Sequence, residues 1–383
     1  MAYVGGPMRL YDTAKREIVP FEPGPVVTMY TCGITPYDST HIGHAAVFLT
    51  YDVLQRRLRD LGHETRCVRN ITDVDDSILA KARELGVHYL DLAAAELTRF
   101  HNDMEALDML PAWSEPRATS AIADIRGFIN TVMESGHAYE AGGNVYFDVS
   151  TVPSFGQISH LPREVMLEYA AERGGNIDDP NKRDPLDFVL WQRSAEGEPA
   201  WESLWGPGRP GWHIECSALA MREFGATVDL HGGGSDLIFP HHECEAAQSE
   251  AATGEVFVRH WMHQSMVRMD GEKMSKSLGN LVFVSDLRKE YDPRAIRLGV
   301  LANHYREEWE WDDNLMPTAQ ARLDRWLDAG SGGGALAEVR RALDHDLDTP
   351  VAIRAIDQAV SEGQGVSEAA LLLGVNLLAS VQG

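Results

Sequence analysis

The stretch MYTCGITPYDSTHIGH, residues 29–44, decides the fold. Val26–Tyr30 reads as a buried strand, and from Gly43 the run AAVFLTYDVLQRRLRDLG puts its apolar positions at helical spacing, with Gly62 as a stop. Glu64–Arg69 reads as a second strand. Strand, loop, helix and strand in this order predict an α/β protein with a Rossmann-like parallel sheet, whose ligand crevice lies at the carboxyl ends of its strands. Cys32 closes the first strand, and His41 and His44 follow nine and twelve residues later, where such a crevice opens.

Outward from this stretch, NITDVDDS (70–77) offers Asp75 or Asp76 as the cap of a further helix, and helical patterns continue to about Leu110. From Trp113 the texture changes to a helix ending near Ser135, then YEAGGNVYFDV, whose central glycines predict a hairpin, then a Pro- and charge-rich stretch through Pro210. Sheet signals return with TVDL (227–230), a glycine-rich loop, a helix over about 241–253 and the strand VFVRHWM. After Ser285 the pattern is helical, and SGGG (331–334) reads as a linker before a tail of two or three helices. The expected division is 1–114 and 199–262 as the halves of the catalytic domain, 115–198 as an inserted α+β subdomain, 263–311 as a helical junction, and 312–383 as a short helical C-terminal domain.

The chain has 383 residues, enough for two or three domains, and its 44% apolar content is that of an ordinary globular protein. No apolar run approaches the roughly 18 residues that span a bilayer, and the N-terminal segment lacks a basic and apolar leader, so a cytoplasmic protein with no membrane partner is expected. A net charge of −24 argues against a long nucleic acid as partner, because such binding relies on neutralised phosphates. Four widely spaced cysteines (32, 67, 216 and 244) argue against a disulfide framework and leave metal binding or burial. Cys67 and Cys244 read as buried thiols.

By itself, His41-Ile-Gly-His44 fits metal ligands, a phosphate-binding pair, or one cap and one buried ring. At a helix amino end the free N–H groups and positive potential favour an anion. A second element, DGEKMSKSLGN (270–280), carries Lys273 and Lys276 three apart after a Gly-containing turn; lysine pairs are usually solvated surface, but ammonium groups here suit a pyrophosphate. HIGH followed much later by KMSKS resembles the paired signature of class I aminoacyl-tRNA synthetases, in which a carboxylate attacks the α-phosphate of ATP. That resemblance implies catalytic roles for His41, His44, Lys273 and Lys276, clamping the phosphorus transition state from two sides.

Cys32, Cys216 in GWHIECSA, and His241 and Glu245 in FPHHECE are compatible with a tetrahedral Zn²⁺ site assembled from separate segments. Such an ion in the crevice would accept a substrate thiolate, where a serine hydroxyl or alanine methyl offers no comparable ligand. Gly232, Gly233 and Gly234 fit either close approach of a nucleotide or an ordinary turn. Trp212 and His213 fit either substrate contact or packing.

MYTCG, HIGH, GWHIECSA, HGGGSDLIFPHHE and KMSKSLGN together resemble cysteinyl-tRNA synthetases. CGITPYDSTHIGH, AERGGN (171–176) and a short acidic tail after Ser277 instead resemble the mycothiol-pathway cysteine ligases, L-cysteine:glucosaminyl-inositol ligases. The ligase resemblance implies one zinc held by Cys32, Cys216 and His241, with Glu245 matching the synthetases' fourth ligand, and ATP, with Mg²⁺, as the nucleotide. It further implies cysteinyl-adenylate contacts at Cys32, Gly33, Ile34, Thr35, Val47, Asn70, Ile71, Thr72, Trp212, Gly234, Ser235, Asp236 and Val267. Val47 replaces an expected threonine. L-cysteine, ATP and glucosaminyl-inositol are the expected small-molecule partners; the alternative is a cysteinyl-tRNA synthetase with a reduced C-terminal region. Asp38, in the active loop, is a candidate base for the acceptor amine or the anchor of an Asx turn.

Overall fold

The computed structural model describes residues 7–38, 40–274 and 278–379, and only the backbone of Lys273. Its centre is a four-stranded sheet in the order Trp261–Gln264, Leu230–Gly234, Val26–Ile34, Glu64–Ile71, with every pair parallel. The chain leaves Val26–Ile34 first to one side and later to the other, so the strand order reverses between this strand and Leu230–Gly234. Such a reversal opens a crevice at the carboxyl ends.

The strand bearing Cys32 is longer than its apolar run, ending at Ile34. Its pairing with Glu64–Ile71 slips between Thr31 and Ile34, which releases Cys32 and Gly33 from regular register at the crevice. Gly33 lies so close to that neighbour that a Cβ would come within 1.8 Å of the Asn70 carbonyl oxygen. Neither backbone can move without breaking the sheet. Gly33→Ala is therefore expected to destabilise the protein by about 2–3 kcal/mol, the upper range for overpacking; a urea midpoint equal to wild type would contradict this.

Helix Ile42–Asp60 packs its apolar face into the larger core. Asp75 caps helix Asp76–Leu85, its Oδ1 accepting from the Ile78 amide at 2.8 Å, and Gly86 ends that helix in the left-handed region. The expected hairpin pairs Ala138–Ala141 with Asn144–Phe147 through Gly142 and Gly143, both at positive φ. It continues into Phe188–Arg193 and then Gly208–Pro210, so this antiparallel sheet runs past the expected boundary at 198. Gly208–Pro210 forms its edge, the position where a proline is tolerated. The strand expected in VFVRHWM lies later, at Trp261–Gln264, and Val258 makes only a bridge to Val228.

Three helices follow SGGG: Leu336–Asp344, Thr349–Ser361 and Ser367–Leu372. They have no separate core. Trp326, Leu343, Ile353 and Ile356 join the same buried cluster as Leu49 and Leu58 of the histidine-bearing helix. Buried charge reinforces the union: Arg57 binds both oxygens of Asp344 at 2.8 Å, and fully buried Arg297 reaches Asp52 and the carbonyls of Leu107 and Leu373. Among the described residues no helix is long and apolar enough to cross a membrane.

Candidate active site and metal centre

A cavity of about 970 Å³ opens at the strand-order reversal, lined by Cys32–Thr35, His41, His44, Val47, Trp212, Gly234, Asp236 and Val267 among others. His41 holds the N-cap position of its helix with an extended backbone, and its ring stacks on His44 with centroids 3.9 Å apart. Gly43 makes this possible: a Cβ there would lie 2.9 Å from the His41 ring. Two imidazoles thus meet the cavity at the amino end of a helix, a geometry suited to phosphate oxygens.

The lysine-bearing segment abuts the same helix. Val267–Met269 and Glu272–Lys273 form a two-residue hairpin across Asp270 and Gly271, both at positive φ. Beyond it, the Ile42 amide donates to the Val282 carbonyl at 2.9 Å and the Val284 amide to the Thr40 carbonyl at 3.0 Å. The main chain therefore joins the two signature segments. Lys276 lies outside the described residues, as does the side chain of Lys273.

Cys32, Cys216, His241 and Glu245 are all buried, and one ligand atom from each lies within 4.8 Å of the others. Glu245 Oε1 stands 3.0 Å from His241 Nε2 and 3.7 Å from Cys32 Sγ. Donors around a tetrahedral zinc lie roughly 3.3–3.8 Å apart, given bonds of about 2.0–2.3 Å. Two sulfurs, an imidazole and a carboxylate at this spacing fit the ion. The electrostatics agree: hydrogen bonding from Cys32 brings the Cys216 thiol down to about 6, giving a thiolate. Burial alone would raise Glu245, but His231 and His241 hold it at about 2. Burial would likewise lower His241, and Glu245 and Cys216 instead raise it to about 10. In the metal-free state His241 thus carries the proton that a metal would displace.

Helix geometry differs from expectation around these ligands. The regular helix begins at Glu243, and His241 sits in a wide turn, Ile238–His242, interrupted at Phe239. His241 still meets Glu245 because His213 holds its other face, with Nδ1 atoms 2.9 Å apart, and Trp212 stacks on its ring at 4.2 Å. Trp212 therefore both packs and faces the cavity.

A second quartet, Cys32, His231, His242 and Glu245, shares two members with the first. It has one thiol instead of two, and its histidines are engaged as outer partners. His231 Nε2 lies 3.0 Å from Glu245 Oε2, His242 Nε2 lies 3.3 Å from Cys32 Sγ, and a chain runs on from His242 Nδ1 through His263 to Thr13, each link 2.7 Å. Burial keeps His242 and His263 neutral, the latter at about 3. Such outer contacts fix ligand orientation. Sequence reasoning missed His231, His242 and His263; the first two stand in quoted motifs, but only the fold brings strand Leu230–Gly234 and the turn Ile238–His242 to Cys32.

Several expected contacts lie one layer back. Asn70 Oδ1 accepts from the Gly33 amide at 2.9 Å, Asn70 Nδ2 donates to Thr72, and the Thr72 amide donates to the Ile34 carbonyl, so 70–72 brace the loop without lining the cavity. Ser235 does not line it either, and of the three glycines only Gly234 does. A Cβ on Gly232 would meet the Tyr51 hydroxyl at 2.0 Å, which ties that glycine to packing against helix Ile42–Asp60 and not to a nucleotide. Asp38 is also absent from the lining, while Asp75 is present. Cys216, His241 and Glu245 close the site from behind Cys32. Cys67 is buried as expected; Cys244 is buried too and borders the cavity, its thiol driven well up by burial.

The model of the tRNA synthetases class I (C) catalytic domain matches residues 18–321. An L-cysteine:1D-myo-inositol 2-amino-2-deoxy-alpha-D-glucopyranoside ligase of Nocardiopsis dassonvillei is 49% identical over 94% of this chain and 91% of its own length. The ligase of the same description from Thermobispora bispora is 49% identical over 97% and 96%. Among solved structures, Mycobacterium tuberculosis methionyl-tRNA synthetase in complex with methionyl-adenylate has a TM-score of 0.67 at 16% identity, covering 92% of this chain and 88% of that one, a likeness of fold. The chain is a ligase that belongs to the class I tRNA synthetase (C) catalytic-domain family and, within it, to the L-cysteine:1D-myo-inositol 2-amino-2-deoxy-α-D-glucopyranoside ligases.

Proposed function

We propose that the protein activates L-cysteine with ATP, as cysteinyl-adenylate, and transfers the cysteinyl group to the amine of the glucosaminyl-inositol, releasing pyrophosphate and then AMP. The observation that carries this reading is the Cys32–Cys216–His241–Glu245 cluster, whose foremost member lines the same cavity as His41 and His44. These four residues would hold zinc, which when bound takes a thiolate far more readily than a hydroxyl or methyl group. His213 and His231 orient His241 and Glu245 through their outer contacts. His41 and His44, at the helix amino end, receive the α-phosphate as charge builds on it, and Lys273 and Lys276 neutralise the departing pyrophosphate, with Mg²⁺ accompanying the nucleotide. Gly33–Thr35, Val47, Trp212, Gly234, Asp236 and Val267 frame the adenylate, while Asn70, Ile71, Thr72 and Ser235 support that frame from behind. The reaction belongs to the cytoplasm, which supplies ATP and keeps unpaired cysteines such as these four reduced.

Incubation with ATP and labelled cysteine, plus either glucosaminyl-inositol or tRNA, tests the reading. Amide and AMP are expected with the first acceptor and no acylation with the second; acylation of tRNA alone would overturn the assignment. Cysteine-dependent ATP–pyrophosphate exchange should exceed that with serine by at least about 10⁴ in kcat/KM, the range in which a dedicated polar ligand decides between analogues.

A further inference from the structure

We propose that Asp75 is the base that takes the proton from the acceptor amine as the amide bond forms, an assignment that rests on the reaction proposed above. Asp75 follows the carboxyl end of strand Glu64–Ile71 and lines the cavity with Cys32, Thr35 and Tyr37. It stands where two walls meet. The neighbouring Asp76 is paired with Arg209 of the edge strand Gly208–Pro210, and that strand pairs with Phe188–Arg193, whose Gln192 and Arg193 also line the cavity. The insertion thus lines the same cavity with hydrogen-bonding side chains, Asn144 and Asn176 among them. A polyhydroxyl acceptor entering along that wall delivers its amine to this corner.

The other lining carboxylates are committed elsewhere. Asp187 is fully buried and accepts from the Tyr139 hydroxyl and the amides of Val149 and Asp184 at 2.7, 2.9 and 3.0 Å. Asp179 accepts from the Tyr146 hydroxyl at 2.6 Å and from Asn181. Asp76 is held by Arg209, and Asp236 packs on Gly234 at the sheet. Asp75 gives one oxygen to the Ile78 amide as its helix's cap, and it lies at the corner of the cavity. Burial, and then the charge of Asp76, lift it to about 6 against the pull of the Ile78 and Ser77 amides and of Arg209. The groups facing it are Tyr37, whose hydroxyl burial drives up, and Glu215, whose carboxyl burial drives well up.

In the step, the lone pair of the neutral amine forms the N–C bond to the acyl carbon. The nitrogen gives one proton to the Asp75 carboxylate, and the bond from acyl carbon to phosphate oxygen breaks with its electrons leaving on AMP. The proton then passes to solvent.

The test preloads the enzyme with ATP and cysteine and mixes it with glucosaminyl-inositol in a single turnover, where the amplitude reports adenylate formed and the rate reports transfer. Asn caps a helix as well as Asp, so Asp75→Asn removes the base and keeps the cap. The expected result is a transfer rate lower by about 10²–10³, the range of general-base contributions, at full amplitude. The rate of the wild-type enzyme should rise through a limb near pH 6 that the Asn variant lacks and Asp75→Glu retains. A variant that transfers within a few fold of wild type, keeps the limb, or loses amplitude instead of rate overturns the assignment. No amide from the wild-type enzyme overturns the reaction itself, and this inference with it.

Discussion

Serine in place of Cys216 is expected to strip the metal and lower cysteine-dependent ATP–pyrophosphate exchange by on the order of a thousandfold, about 4 kcal/mol at 1.4 kcal/mol per decade. The change is small in volume, and the sulfur lies behind Cys32, outside the cavity lining, so no direct substrate contact is removed. What is lost is one of two thiols in a buried quartet whose other members, an imidazole and a carboxylate, do not by themselves favour zinc over competing ions. Cys216 is also the thiol that ionises more readily, at about 6, while burial drives Cys32 well up. Metal analysis should find about one zinc per chain in the wild-type protein and far less in the variant. Melting curves in chelator, where both proteins are metal-free, should coincide within a few degrees and so separate metal loss from misfolding. Undiminished zinc and exchange would remove Cys216 from the metal site and leave cysteine selectivity without its basis.

The second large effect is on stability. Arg297→Met is expected to cost about 3–5 kcal/mol, the range for breaking a buried ion pair by removing one partner. Burial alone would raise Asp52, yet Arg297 and Arg56 hold its carboxyl below the usual range, so losing one guanidinium leaves a buried charge undercompensated. The carbonyls of Leu107 and Leu373 lose their donor in the same event. Arg340→Met provides the contrast. Its pair with Asp60 spans the same two regions but is partly exposed, at 30% and 16% for the two side chains, and should cost under about 1 kcal/mol. Equal urea midpoints for the two variants would show that burial does not set the difference.

Both predictions bear on what the sequence could reveal. The signature segments were legible because residue type and spacing there encode backbone events: Gly43 leaves room for the His41 ring, and Cys32 marks where the strand departs from register. The cluster of Cys32, Cys216, His241 and Glu245, which could hold a metal, was legible from residue chemistry. Its outer histidines were not, because His231 and His263 come from the paired strands Leu230–Gly234 and Trp261–Gln264 and His242 from the turn Ile238–His242, which only the fold brings together. Glycine in HGGG announced close approach without naming the approaching atom, which for Gly232 is the Tyr51 hydroxyl. The C-terminal helices read as a separate unit because SGGG looks like a linker, and nothing in one dimension shows that the fold buries Arg57, Arg297, Asp52 and Asp344. Gly208–Pro210 was missed as a strand since a proline argues against one everywhere except at an edge.

The hydrogen bonds that link Thr40 and Ile42 to Val282 and Val284 use only peptide groups. Every residue but proline carries both peptide groups, so replacing any of the four side chains, proline apart, leaves the stitch intact. A juxtaposition written in this way tolerates drift in nearly every neighbouring residue. Side chains of both segments are then free to change around the cavity without parting the two signatures.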